Sequence, residues 1–349
     1  MLDFTSALYL GIEHRGGELA PWRALTTGRP AALEASTDEH RLGAALASLV
    51  GCPAALLGAS TLHLFWDLFG VLAERQIAVF VDDGTYPIAG WGAERAAGLG
   101  VPVRRFARHD PEALRRELGR AEAGRRPIVV TDGFGPVRGG AAPLGDYLAA
   151  TREREGWLVI DDTQALGILG ERADTGTPYG RGGGGSLRYH GLGGEDIVVV
   201  SSLAKAFGAP LAMIAGAARF VDRFERRSET RVHTSPPSAS AFTAAHRALA
   251  ANAAEGDARR SRLARTVCRF RERLAAPRLH AAGGTFPVQE LRAREVNGRS
   301  LYEGLLRRGV RAVLARSPRG APAVRLLFTT QHSDDDVDAA VGAIARLAA

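Results

Sequence analysis

Residues 198–208 read VVVSSLAKAFG, and Lys205 within them is the one lysine of a 349-residue chain that carries 44 arginines. Arginine and lysine serve almost equally well as solvated surface charges. They differ where a primary amine must lose its proton and attack a carbonyl, which a guanidinium does not do. A chance surface lysine is the competing reading, and the neighbours weigh against it. The apolar run DIVVVSS (196–202) leads into the lysine, and Ala204, Ala206 and Gly208 surround it. That is the pattern of a buried strand ending in a tight turn, not of a solvated helix face.

Working outward, similar apolar runs recur at AALLG (54–58), IAVFVDD (77–83), RPIVVTD (126–132) and GWLVIDD (156–162). Helical patterns separate them: LHLFWDLFGVLAE (62–74), PEALRRELGRAE (111–122) and LGDYLAATRERE (144–155). Strands that are apolar on both faces, alternating with helices, predict an α/β fold with a mostly parallel sheet between helices. Ser36 and Glu39 form a capping box ahead of HRLGAALASLVG. From about 218 to 275 the pattern is mostly helical, and the remainder reads strand–helix–strand–strand–helix, a smaller α+β C-terminal domain. The expected division is an N-terminal segment at 1–35, a large domain at 36–275 and a small one at 276–349. The Gly-rich YGRGGGGSLRYHG (179–191) lacks the Gly-Lys-Ser/Thr ending of a P-loop, which leaves an active-site lid or a plain loop.

Ligands of open parallel sheets sit beyond the C-terminal ends of the strands, where Asp132, Asp161 and Lys205 all fall. Asp161 alone would equally suit a turn or helix cap. Beside a lone lysine it suggests a cofactor carbonyl held as a Schiff base, with the carboxylate balancing a cationic ring nitrogen. Composition narrows the rest. The net charge of +7 is spread over interspersed Arg and acidic residues, and no nucleic-acid-binding motif is present, so the excess charge suits anionic substrates. Two cysteines are too few for a metal cage or a disulfide framework and point to a reducing compartment. Neither a leader pattern nor a membrane-spanning stretch is evident, so the cytoplasm is the expected location.

WLVIDDTQALGILG (157–170) followed by SSLAKAFG (201–208) resembles the fold-type-I pyridoxal phosphate enzymes, and among them the α-oxoamine synthase family. FTSALYLG, ALLGAST, VVTDGFGPVRGGAAPLGDYLA, HTSPPSA and AVRLLFTTQHSDDDVDAAV agree with that family in order along the chain. The resemblance implies a homodimer that uses pyridoxal 5'-phosphate. It implies an amino-acid substrate joined to an acyl thioester, carried by coenzyme A or a carrier protein. Carried over position by position, Lys205 is the Schiff-base lysine and Asp161 the partner of the ring nitrogen. Ser202, Thr61 and Leu62 hold the phosphate, and Tyr86 stacks on the ring. Arg325 binds the substrate carboxylate, and His233 and Thr234 reach the neighbouring subunit's phosphate. The chain departs from the family at four places: Gln164 and Tyr86 replace histidines, Pro136 a serine and Ala7 an asparagine. These changes fall on residues that tune the condensation, so transamination and a silent partner subunit stand as alternatives, the latter opposed by Lys205 itself.

Overall fold

Seven strands build the central sheet: β1 (Ala54–Gly58), β2 (Ile77–Asp82), β3 (Val103–Phe106), β4 (Arg126–Asp132), β5 (Trp157–Asp161), β6 (Ile197–Ser202) and β7 (Ala212–Gly216). The computed structural model describes residues 1–18, 25–26, 28–33, 37–73, 76–122, 124–136, 140–274, 279–293, 297–317 and 320–348. The order across the sheet is β1-β7-β6-β5-β4-β2-β3. The pairs β2–β3, β2–β4, β4–β5 and β5–β6 are parallel, and only β7 runs against its two neighbours. The parallel α/β sheet expected from the apolar runs is therefore present, with β3 and β7 added to it.

Successive side chains of a strand point to opposite faces, and here both faces are buried. Val79, Val81, Val130, Val159, Val198 and Val200 pack under α2 (Thr61–Ala73), α3 (Pro87–Gly98) and α7 (Ala218–Arg227). Phe80, Val129, Leu158, Ile160 and Val199 face the other way, toward α1 (Thr37–Val50), α4 (Pro111–Gly119), α5 (Leu144–Arg152) and the 35-residue α9 (Ala239–Arg273). Each of these valines and leucines is removed from water almost completely, worth roughly 1.5–3 kcal/mol apiece before conformational entropy is counted. This double-sided burial explains why the strands read as continuous apolar runs.

The C-terminal part adds an antiparallel sheet of β8 (Leu279–Ala282), β9 (Val288–Ala293), β10 (Val313–Ser317) and β11 (Gly320–Leu327), in the order β8-β9-β11-β10. Helices α10 (Gly298–Arg307) and α11 (Asp334–Ala348) complete it. Ser36 of the expected capping box, and the expected boundaries at 35–36 and 275–276, lie outside the described residues. The first residues of the chain tie the two parts together. Leu2–Asp3 pairs in parallel with Val310–Arg311, and the carbonyls of Phe4 and Tyr9 accept from the amides of Leu327 and Thr330. The 179–191 segment forms tight turns that bridge to Leu166 and Glu171 and end in α6 (Ser186–His190). Among the described residues no helix is long and apolar enough to cross a membrane.

Candidate active site

Strands β4 and β5 end side by side, and their register sets Asp132 directly opposite Asp161. The next strand, β6, ends at Ser202, three residues before Lys205. Topology alone thus brings two carboxylates and the single amine to one rim of the sheet. They open on a cleft of about 380 Å³, into which Thr61, Tyr86, Gln164 and Arg325 also face.

The turn after β6 fixes the lysine. The Ser202 hydroxyl accepts from the Ala204 amide at 3.2 Å, and the amide of Gly208 donates to the Lys205 carbonyl. Gly208 has φ +62°, and a Cβ there would press on the Ile12 carbonyl, so only glycine closes the turn without strain. Thr163 fastens β5 to β6. Its amide donates to Asp161 Oδ1 at 3.1 Å, and its hydroxyl accepts from the Ser202 amide at 3.1 Å.

Burial governs the charges. It pushes the carboxyl of Asp161 above the ordinary carboxylate range, against the pull of Thr163 and Lys205. Asp132 is pushed up by burial and by the neighbouring Asp161, and is pulled back by the Tyr86 amide that donates to its Oδ1 at 2.9 Å. Lys205 is lowered by burial, with the two carboxylates opposing the shift. A lowered amine is more often deprotonated near neutrality and is then a nucleophile. Asp161 and Lys205 together form a buried acid and a buried base in one cleft.

The other predicted residues fall into two groups. Thr61 begins α2, where the first amides have no partner inside the helix, and Tyr86, 55% exposed, caps α3 and lines the cleft. Gln164 is held by the hydroxyl of the buried Tyr9, which donates to its Oε1 at 2.9 Å. Pro136 lines the cleft as well. Arg325, on β11, lies beside Glu290 of β9, whose Oε2 accepts from Nε at 3.0 Å and pairs with Nη2 at 3.0 Å as a salt bridge. The residues of the second group do not line the cleft with their side chains. Leu62 is exposed on the first turn of α2, and Ala7 turns back on Tyr9. His233 ends α8 (Glu229–His233), and the Thr234 carbonyl accepts from the Ala31 amide. Among the described residues of 179–191, none lines the cleft.

Sequence reasoning passed over Thr163, Tyr9, Arg108 and Glu290. Thr163 lies between Asp161 and Gln164 and was findable by position. Arg108 and Glu290 carried no signal, because nothing local separates a cleft arginine from 43 others, or a strand glutamate from a solvated one.

The class I and II aminotransferase model matches residues 36–344. The 8-amino-7-oxononanoate synthase of Nitrosococcus oceani is 30% identical, over 97% of this chain and 89% of its own. That of Halorhodospira halophila is 32% identical, over 89% of this chain and 75% of its own. Among solved structures, serine palmitoyltransferase from S. paucimobilis superposes with a TM-score of 0.86 at 17% identity, covering 99% of this chain and 86% of that one. The 8-amino-7-oxononanoate synthase of Francisella tularensis gives 0.77 at 17% identity, covering 99% and 97%.

Proposed function

The chain belongs to the class I and II aminotransferase family of pyridoxal phosphate enzymes, in its α-oxoamine synthase branch, and from that premise we propose that it condenses an amino acid with an acyl thioester. One observation carries the reading: the only lysine of the chain shares a buried cleft with Asp161 at the C-terminal rim of the sheet.

The residues present fit the cofactor. A lowered amine suits a carbonyl, a buried carboxyl suits a cationic ring nitrogen, and the start of α2 with Ser202 suits a phosphate. Pyridoxal phosphate, when bound, supplies the sink for the electron pair left at the amino acid's α-carbon. The chain's own residues do the rest. Lys205 Nζ holds the cofactor and afterwards moves the proton at the α-carbon. With the cofactor bound, Asp161 would hold a proton on the ring nitrogen, Tyr86 would cover the ring, and Thr61, Ser202 and the backbone amide of Leu62 would hold the phosphate. Arg325 binds the amino acid's carboxylate through its planar fork. Gln164, fixed by Tyr9, presents a neutral amide that orients without titrating. The synthase names of the relatives similar over most of their length favour condensation over transamination.

His233 and Thr234, outside the cleft of their own chain, suit a role toward a second copy, and we take the working unit to be a homodimer. Both cysteines are free, in keeping with a reducing, cytoplasmic setting. The test supplies a panel of amino acids with and without acyl thioesters and follows products by mass. Consumption of thioester with formation of an aminoketone is expected; keto acid formed with no thioester consumed would decide for transamination. Lys205→Arg should keep the fold and lose the borohydride-reducible adduct. Asp161→Asn should retain cofactor and lose roughly 100-fold in kcat, about 2.7 kcal/mol.

A further inference from the structure

Arg108 enters the cleft from the loop after β3. Its path is bounded by two glycines that also line the cleft, Gly84 and Gly135. A Cβ on Gly84 would lie 2.8 Å from Arg108 Cγ and 2.9 Å from its Nε, and a Cβ on Gly135 would overlap Nη2. Neither glycine has a positive φ, so neither is required by the backbone conformation of its own turn. What each provides is space, and both spaces are filled by the same side chain. The guanidinium therefore lies in a slot that any larger residue at 84 or 135 would close.

The charges of the cleft give the slot its meaning. Three cations line the cleft among the described residues: Lys205 near Asp132 and Asp161, Arg325 beside Glu290, and Arg108 in its slot. An amino acid and an acyl donor bring more than one anionic group, and Arg325 serves one of them. A guanidinium offers a planar fork of donors that fits a carboxylate or phosphate oxygen pair better than a point charge does. We propose that Arg108, seated between Gly84 and Gly135, is the oxyanion-binding residue for the second substrate, the acyl donor. This rests on the acyl-transfer reading of the site. The oxyanion has two possible sources: a carboxylate at the far end of the acyl chain, or the phosphates of the group that carries the thioester.

The experiment is equilibrium calorimetry on the holoenzyme with four unreactive thioether analogues of the acyl donor. Two are built on coenzyme A and two on N-acetylcysteamine, which has no phosphate. In each pair one tail ends in a carboxylate and the other in a methyl group. The proteins are the wild type, Arg108→Met, which keeps an apolar stem in the slot, and Gly135→Ala, which keeps the arginine but displaces its fork. Both variants should lose about tenfold or more in affinity for the two analogues that carry the recognised anion and nothing for the methyl-tailed N-acetylcysteamine analogue, the neutral one. A loss that follows the tail carboxylate assigns that source, and one that follows coenzyme A assigns the phosphates. Unchanged affinities, or an equal loss for the neutral analogue, would overturn the role of Arg108 while leaving the acyl-transfer reading intact. A wild type that binds none of the four would overturn both.

Discussion

Asp162, the second acid of the 161–162 pair, links the chemistry of the rim to the stability of the fold. It is buried, its Oδ2 accepts from the Ser186 amide at 2.9 Å, and burial pushes its pKa up to about 7. The folded chain thus holds this proton more tightly than an unfolded chain would, since an ordinary Asp titrates near 3.8. The resulting stabilisation is complete below pH 3.8 and is lost as pH rises through about 7. Asp162→Asn carries its donor at every pH. The wild-type Tm should therefore fall relative to that variant between pH 5 and pH 8, by on the order of 5 °C, and parallel melting curves would remove the assignment. Glu290 makes a second residue-scale case. Its carboxylate holds the Nε–Nη2 edge of Arg325, so Glu290→Ala should raise the KM for the amino acid about tenfold, or 1.4 kcal/mol, with kcat nearly unchanged. Binding of the corresponding amine without a carboxylate should not move. Lys205 was legible because it is rare, and Asp161 because it ends an apolar run. Arg108 and Glu290 acquire their meaning only from partners that folding brings to them.

Among the elements, α3 shows why some of the architecture was not readable. Its sequence PIAGWGAERAAG contains three glycines, each costing about 1 kcal/mol in a helix relative to alanine. Gly92 has a packing reason: a Cβ there would lie 2.7 Å from the Phe69 ring and 2.9 Å from the Phe65 carbonyl. The helix gives up propensity for a close approach to α2. Gly92→Ala should accordingly lower Tm by several degrees although alanine is the better helix former, and a higher Tm would show that α2 yields. Strand β3 hid behind Arg104 and Arg105, exposed in its middle at the edge of the sheet, and β7 behind the small residues of AMIAG. Of the strands that were legible, β2, β4, β5 and β6 are the interior parallel ones, where burial on both faces leaves little room for anything but apolar residues, and β1, at the edge beside β7, was read from its short AALLG run.

At the scale of the whole molecule, the N-terminal residues join parts that are far apart in sequence. Asp3 offers its carbonyl to His332, Tyr9 fixes Gln164, and His14 Nε2 meets the Phe207 carbonyl beside the Lys205 turn. Deleting residues 1–14 should leave the helical circular dichroism largely in place yet abolish turnover, because Gln164 loses its anchor and the C-terminal sheet loses its pairing with Leu2–Asp3. Full activity of the shortened chain would refute that coupling. Light scattering should give the mass of a dimer, and an active monomer would refute the role given to His233 and Thr234. The general architecture was legible because the order of apolar runs, Asp161 and Lys205 specifies it. The placement of the first residues against the C-terminal sheet was not, since a two-residue strand has no periodicity to detect.

The solitary Lys205 also determines how the protein meets reagents. Amine-directed esters, aldehydes and isothiocyanates find no ε-amino group on its exterior, so conventional coupling there is confined to the α-amine. The one ε-amine they can reach lies at the bottom of the cleft, and a bound ligand shields it. Reductive methylation read by peptide mass at Lys205, apart from the α-amine, then becomes a stoichiometric gauge of occupancy, with a single side chain as its reporter.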